Sequence, residues 1–275
     1  MVHAERAHSD VLAREAASWL EGEGHEARMP STDDGRPDLE GVDLAVSLGG
    51  DGTMLRTVEL VHGSAIPVLG VNLGHLGYLT AVEPAGLRKA LRRFIDGDYG
   101  LEERMTLDVS VTGAGSAGSG QDACTRVALN EVVVEKLATG HTIRLALGIA
   151  GRPFITYAAD GLIVATPTGS TAYNLSSRGP IASPHLRAVI VTPVSPHMLF
   201  DRSLVLDPGE EVRVEMVDGR AAALVVDGVA VADLRRGDAV VCRPSSQPVR
   251  LVDFGAHDFH AILRAKFGLA DRSER

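Results

Sequence analysis

The chain has 275 residues, 45% of them hydrophobic and 23% charged, with a formal net charge of −9. That length allows one large domain or two modest ones with ample core, and the acidic balance argues against a general nucleic-acid or anionic-membrane binder. No apolar run approaches the length of a membrane span and the first residues lack a signal-peptide core, so a cytoplasmic protein is expected.

Leu12, Ala16, Trp19 and Leu20 share one helical face, with Ser9 as a cap and Gly24 as a stop. Val42 to Leu48 reads as a buried strand, followed by a helix carrying Leu55, Val58 and Val61 up to Gly63. Ile66 to Val71 reads as the next strand. Leu87, Ala90, Leu91, Phe94 and Ile95 form an amphipathic helix between Pro84 and Gly97. Such alternation predicts an α/β domain over 1–100, with a parallel sheet covered by helices. The chain opens at Met1-Val2-His3 without a full strand, so that edge of the sheet is expected to be short.

After Gly100 the pattern changes. Leu107, Val109 and Val111 alternate with polar residues, as do Ile143, Leu145, Leu147 and Ile149. Later apolar runs are short and separated by Asp207-Pro208-Gly209, Asp218-Gly219 and Asp227-Gly228, which are turn signals. This predicts a β-rich domain over 101–251. The segment 252–275, with a closing helix from Phe259 to Phe267, is expected to rejoin the first domain. The stretch Gly113 to Gly120 contains a formal GxGxxG, but no amphipathic helix follows it, so it reads as a flexible loop.

Gly49-Gly50-Asp51-Gly52-Thr53 follows the first strand and leads into a helix. Glycines there let backbone amides approach a phosphate closely, and the helix N-terminus adds partial positive charge. A carboxylate in such a loop repels phosphate. It makes sense if Asp51 meets a hydroxyl that must lose its proton, or a magnesium ion that carries the phosphates. The other reading is a tight turn with Asp51 as the N-cap of a helix from Thr53.

Thr166-Pro167-Thr168-Gly169-Ser170-Thr171-Ala172-Tyr173 follows the apolar run Leu162 to Ala165. Hydroxyls and backbone donors at a strand end suit ribose and phosphate, and Tyr173 offers an aromatic face; the same residues could cap a helix through Ser176. Asp160-Gly161 and Asn130-Glu131 could hold ribose hydroxyls or an adenine amino group, or be turn and surface residues. Asn72 to Leu79 places glycines and an amide just past a strand, where α/β sheets bind ligands.

Cys124 and Cys242 show no CxxC or Cys/His spacing, so neither a disulfide framework nor a zinc site is expected. His257 and His260 flank Asp258 without a third ligand nearby, so no protein metal site is expected there. Ser170 lacks the glycine two residues on that a nucleophile elbow requires.

In this order, the segments resemble the NAD kinase family, from the helix near Trp19 to Leu251-Val252-Asp253-Phe254 and Lys266-Phe267-Gly268-Leu269. The first glycine loop alone is shared with diacylglycerol, sphingosine and phosphofructo-kinases; the Thr166 to Tyr173 run discriminates far better. The resemblance implies transfer of a phosphoryl group from ATP or polyphosphate to the 2′-hydroxyl of the adenosine ribose of NAD, giving NADP. It implies Asp51 as general base and, with Gly52, as an NAD contact, with Arg56 near the same dinucleotide. Asn130, Glu131, His141 and Asp160 would bind NAD, and Thr171, Ala172, Tyr173, Asn174, Leu175 and Ser176 would line its pocket. Gly49, Gly50, Gly52 and Thr53 would hold the phosphoryl donor, with Mg²⁺ or another divalent cation bridging its phosphates. NAD is expected between the two domains, and the protein is expected to be a homodimer or homotetramer.

Two departures stand out. The family usually has Gly-Gly-Pro where this chain has Arg178-Gly179-Pro180, which implies a changed backbone or an added phosphate contact. Val229 stands after Asp227-Gly228, where a polar residue is common. The rival readings are a lipid kinase sharing the glycine loop and a non-catalytic NAD-binding regulator. No apolar membrane-facing helix supports the former, and the latter would need no base.

Overall fold

The computed structural model describes residues 2–30, 37–74, 77–113, 126–255 and 258–269, with side chains from residue 8 onward. His75, Leu76, Cys124, His257 and the glycine-rich stretch beyond Gly113 lie outside the described residues. The chain divides into two compact units, Met1–Glu103 with Val249–Arg275, and Arg104–Pro248.

The first unit opens with helix α1 (Val2–Gly22), which begins well ahead of the expected cap at Ser9. The residues before Ser9 include Ala4, Glu5, Arg6 and Ala7, good helix formers with no breaker among them, so nothing forces a start at the serine. A four-stranded sheet follows in the order β1 (Ala45–Gly49), β2 (Val68–Asn72), β16 (Val249–Asp253) and β3 (Gly100–Arg104). β1 runs parallel to β2, from Ala45 opposite Val68 to Gly49 opposite Asn72, and β16 runs parallel to β2 with Leu251 opposite Val68. Parallel neighbours need crossovers, and helix α2 (Asp51–Val61) supplies the one between β1 and β2.

α2 buries Met54, Val58 and Val61. Helix α3 (Leu87–Ile95) puts Leu87, Ala90 and Leu91 into a core with Leu69, Val71 and Val252, against which Leu12, Ala16, Trp19 and Leu20 of α1 also pack. The Arg88 and Arg92 guanidiniums lie 5.5 and 5.1 Å from the Trp19 ring centre, within cation–π range. A short helix α4 (Tyr173–Ser176) belongs to the second unit, and helix α5 (Phe259–Phe267) is capped by Asp258, whose carboxylate accepts the His260 and Ala261 amides at 2.9 and 3.1 Å. Left-handed Gly268 ends it.

The second unit contains two six-stranded sheets. One has the order β5 (Arg126–Ala128), β4 (Leu107–Thr112), β15 (Ala239–Pro244), β12 (Val212–Met216), β7 (Ile143–Ile149), β8 (Arg152–Ala159). The other has the order β11 (Leu204–Leu206), β10 (Val189–Val194), β9 (Gly161–Ala165), β6 (Glu131–Lys136), β13 (Ala222–Val226), β14 (Val229–Leu234). Period-two alternation sends Leu107, Val109, Leu145, Leu147, Val212, Val214, Val240 and Cys242 of the first sheet into one core with Val132, Val134, Leu162, Val164, Val189, Val191, Leu224 and Val226 of the second. The intervening residues Val133, Ile163 and Ile190 are buried on the other face, which explains why β6, β9 and β10 read as continuous apolar runs. Burial pushes the free Cys242 thiol up to about 12. The two ends of this unit meet: the Ser245 N–H donates to the Thr106 carbonyl at 2.9 Å, and the Thr106 hydroxyl to the Gln247 carbonyl at 3.1 Å.

Among the described residues five non-glycine positions adopt left-handed backbone, and two of them, Asp227 and Arg178, stand in segments the sequence singled out. Asp227 (φ 47) and Gly228 (φ 80) form the two-residue turn between β13 and β14, with Val226 paired to Val229. Arg178 sits at φ 65, so the backbone a glycine would favour is kept and carries the strain of an L-side chain. Arg178 is exposed. Relief of that strain (about 1–2 kcal/mol) outweighs the added freedom of the unfolded chain, so Arg178→Gly is expected to stabilise the protein by roughly 0.5–1 kcal/mol. Chemical denaturation of both proteins checks this; an unchanged or lower midpoint refutes it.

Candidate active site

In the first unit the two glycine-bearing loops leave the carboxyl ends of adjacent parallel strands, β1 and β2, and are tied together there. The Leu73 N–H donates to the Gly49 carbonyl at 3.2 Å. Asn72 is buried, and its side-chain oxygen accepts the Gly74 amide at 3.1 Å, shaping the second loop. Asp51 is the first residue of α2 and Gly50 is its cap, with no side-chain cap bond, which corrects the reading of Asp51 as N-cap of a helix from Thr53. Its carboxylate reaches the other loop instead: Oδ2 accepts the Tyr78 amide at 3.0 Å and Oδ1 the Leu79 amide at 3.1 Å.

Close approach explains two of the glycines. A Cβ on Gly49 would stand 2.2 Å from Thr53 Oγ1, and one on Gly77 would stand 2.4 Å from Asp51 Oδ1. Neither has positive φ, so both positions need space rather than glycine's conformational freedom. Gly50, Gly52, Thr53 and Arg56 are exposed around the amino end of α2, the end that favours anions.

In the second unit Asn130 and Glu131 lie at the start of β6 and are held by Asp227. The Asp227 carboxylate accepts the Leu129 amide at 2.7 Å, Asn130 at 2.8 Å and Glu131 at 3.0 Å. The hydroxyl-rich run docks on the same segment. Thr166 donates through its hydroxyl to the Leu129 carbonyl at 2.5 Å and through its N–H to the Asn130 carbonyl at 2.9 Å. A Cβ on Gly169 would lie 2.1 Å from that Asn130 oxygen.

Glu131 is the electrostatic centre of this segment. Burial, and then the nearby Asp227 charge, push its carboxyl up to about 8, against the lowering effect of the Tyr173 backbone N–H that donates to it. It is therefore mainly protonated at neutral pH. Glu131 Oε2 and Thr168 Oγ1 are buried without a hydrogen-bond partner among the described residues, as expected of groups awaiting a polar ligand. The Tyr173 hydroxyl is raised by burial first, then by the Glu135, Asp160 and Glu131 carboxylates beside it. Asp160 also pairs with Lys136 at 2.6 Å. Among the described residues, no group of three or more His, Cys, Asp or Glu could hold a metal ion.

Comparison with known proteins identifies this arrangement. Residues 5–99 match the model of the ATP-NAD kinase N-terminal domain and residues 129–254 that of the ATP-NAD kinase C-terminal domain. The chain belongs to the NAD kinase family. It is 42% identical over 266 residues to an NAD kinase of Heliobacterium modesticaldum, covering 93% of this chain and 92% of that one. Among solved structures it resembles yeast NADH kinase complexed with NADH, with a TM-score of 0.77, 29% identity and coverage of 84% of this chain and 67% of that one. It also resembles an NAD kinase from Archaeoglobus fulgidus in complex with ATP, with a TM-score of 0.71, 27% identity and coverage of 93% and 92%.

Within this NAD kinase fold the expected site residues separate by what their side chains do. Glu131, Asp160 and Tyr173 come together, and Thr171, Ala172, Leu175 and Ser176 are half-buried or exposed on the same turn. Asn174 is fully buried, and its amide group donates to the Ser170 and Pro180 carbonyls and accepts from Thr192. Its side chain thus holds the turn together from within. His141 is exposed between β6 and β7, and among the described residues it has no hydrogen-bond or ion-pair partner. Sequence reading treated Asp227 as a turn residue only; its contacts lie 96 to 98 residues away in the chain, beyond any local pattern.

Two predictions follow from this geometry. Asp227→Ala removes an acceptor from three amides and is expected to destabilise the second unit by about 3 kcal/mol or more. Asp227→Asn, which keeps one acceptor and tolerates positive φ, loses less. Equal unfolding midpoints for wild type and Asp227→Ala would show the three bonds to be energetically idle. The raised Glu131 carboxyl stabilises the fold fully below its unfolded value of 4.5, and that contribution is lost as pH rises through about 8. Relative to Glu131→Gln, the wild-type melting temperature should therefore fall steadily between pH 5 and 8.5; a difference that stays constant contradicts this.

Proposed function

We infer that the chain is an NAD kinase, transferring a phosphoryl group from ATP or inorganic polyphosphate to the 2′-hydroxyl of the adenosine ribose of NAD to make NADP. The observation that carries this reading is a carboxylate placed on a phosphate-suited glycine loop and held there by two backbone amides. Phosphate repels a carboxylate, so its presence calls for a proton to be taken up. ATP is the ligand of the archaeal relative and NADH that of the yeast relative. Both are carried over as ligand classes for this chain.

In this reading Gly49, Gly50, Gly52 and Thr53, at the amino end of α2, hold the donor's phosphates. Phosphoryl transfer asks the protein mainly for positioning and charge neutralisation. Asp51 accepts the ribose proton late, as the phosphoryl group arrives, because a carboxylate is a weak base toward a sugar hydroxyl. Asn130, Glu131, Asp160 and the Thr171 to Ser176 turn bind the dinucleotide, and Arg56 and His141 belong to the same set. A protonated Glu131 can donate as well as accept, so it is suited to a neutral polar group of the ligand. Mg²⁺ usually keeps several waters and is held by one or two carboxylates plus substrate phosphates. Asp51 is the carboxylate of the loop that would meet it. When bound, the cation offsets phosphate charge. Homodimeric or homotetrameric assembly and a cytoplasmic location complete the proposal; no described helix is long and apolar enough to cross a membrane.

NADP formation assayed with ATP and polyphosphate in parallel, with and without Mg²⁺, tests the activity and identifies the donor. Asp51→Asn is expected to lower kcat by at least about 10²-fold while NAD affinity stays within a few-fold. Near-normal turnover in that variant would remove Asp51 from the role of base.

A further inference from the structure

The loop that grips Asp51 is itself gripped from behind. The Tyr78 ring lies 6.3 Å from the Phe259 ring, centre to centre, and the Lys266 ammonium sits 4.7 Å over its face. Both partners belong to α5. The loop is also fitted at Gly70, where a Cβ would meet the Leu79 carbonyl at 3.0 Å. At Gly77 the missing side chain leaves room that a Cβ would take from both Asp51 Oδ1, at 2.4 Å, and Thr80 Oγ1, at 2.7 Å. Thr80 is buried, and its hydroxyl has no partner among the described residues.

These contacts form one chain from α5 to the carboxylate. α5 fixes the Tyr78 side chain, and the Tyr78 and Leu79 amides fix the two Asp51 oxygens. Gly77 is where that chain is thinnest. Any Cβ there must move either the loop backbone or the Asp51 carboxylate, and the carboxylate is the end of a rotatable side chain. We propose that Gly77 is a positioning residue for phosphoryl transfer, and that α5, through Phe259 and Lys266 on Tyr78, holds the 77–80 loop so that its amides aim Asp51. The proposal rests on Asp51 acting as the base. It adds that the aim of the carboxylate is set by a loop and a helix far from it in sequence.

A displacement on the order of 1 Å at a reacting group can cost about 10²-fold in rate. Gly77→Ala is therefore expected to lower kcat for NADP formation by about 10- to 10²-fold, with the Michaelis constants for NAD and donor within about threefold of wild type. Lys266→Met removes the charge over Tyr78 and is expected to lower kcat by about 2- to 5-fold.

The decisive comparison repeats both changes in the Asp51→Asn background. Asparagine offers one acceptor to two amide donors and cannot serve as base, so neither change should lower the residual rate further. If Gly77→Ala keeps wild-type kcat, or lowers it equally with and without Asp51, the positioning role is wrong while the base role stands. If Asp51→Asn itself turns over normally, the underlying base assignment is wrong. Thermal melting accompanies each variant. Should Gly77→Ala unfold below the assay temperature, the same comparison with Lys266→Met decides: a kcat loss confined to the Asp51 background supports the proposal, and no loss or an equal loss in both overturns it.

Discussion

A side-chain carboxylate accepting backbone amides from a distant stretch of chain is the interaction on which the candidate binding loops of each unit depend. In the first unit Asp51 takes the Tyr78 and Leu79 amides; in the second Asp227 takes those of Leu129, Asn130 and Glu131. Loop amides outside the ladders of strand and helix must find acceptors or face water. A charged acceptor binds them about twice as strongly as a neutral one. Each carboxylate thereby fixes the shape of a loop that no regular element could fix, and the loops carry the candidate binding groups.

The two carboxylates differ in what remains for them to do. Asp227, at the β13–β14 turn, accepts three amides and acts as a structural clamp. Asp51 accepts one amide on each oxygen, which leaves a lone-pair direction on each for a further donor. The negative charge of Asp227 also reaches Glu131 and helps keep that buried carboxyl protonated. The clamp therefore shapes the backbone of the Asn130-Glu131 segment and adds to the burial that keeps Glu131 protonated.

Much of this was legible in the sequence because it is local. Period-two alternation marked the sandwich strands, the Asp227-Gly228 dipeptide marked its turn, and the apolar face of α3 marked its packing. The glycine loop and the hydroxyl-rich run were both visible as strand-end motifs. What escaped was of longer range. The start of α1 was misplaced because a serine that could cap a helix can equally sit inside one. The alternative of Asp51 as an N-cap stayed open because the amides it accepts lie 27 and 28 residues on. The engagement of the Asn174 amide group with Ser170, Pro180 and Thr192 in the interior left no local mark. At Arg178 the departure from glycine was visible, but not that the fold would impose φ 65 on an arginine. Side-chain direction and tertiary constraint, not residue type, decide such cases.

The first unit is built from two stretches of chain separated by the whole of the second. Synthesis proceeds from the N-terminus, so β2 and the loop around Asp51 emerge long before β16 and α5 exist to complete them. The intervening segment can fold in the meantime, because all its strands are already present. When it does, the hydrogen bonds between Thr106 and the Ser245–Gln247 stretch bring its two ends together. A long, floppy connection becomes a short, closed one, and the logarithmic cost of joining the halves of the first unit falls by about 3 kcal/mol. The second unit can thus be complete early, while the loop that holds Asp51 meets α5 only after that helix has left the ribosome.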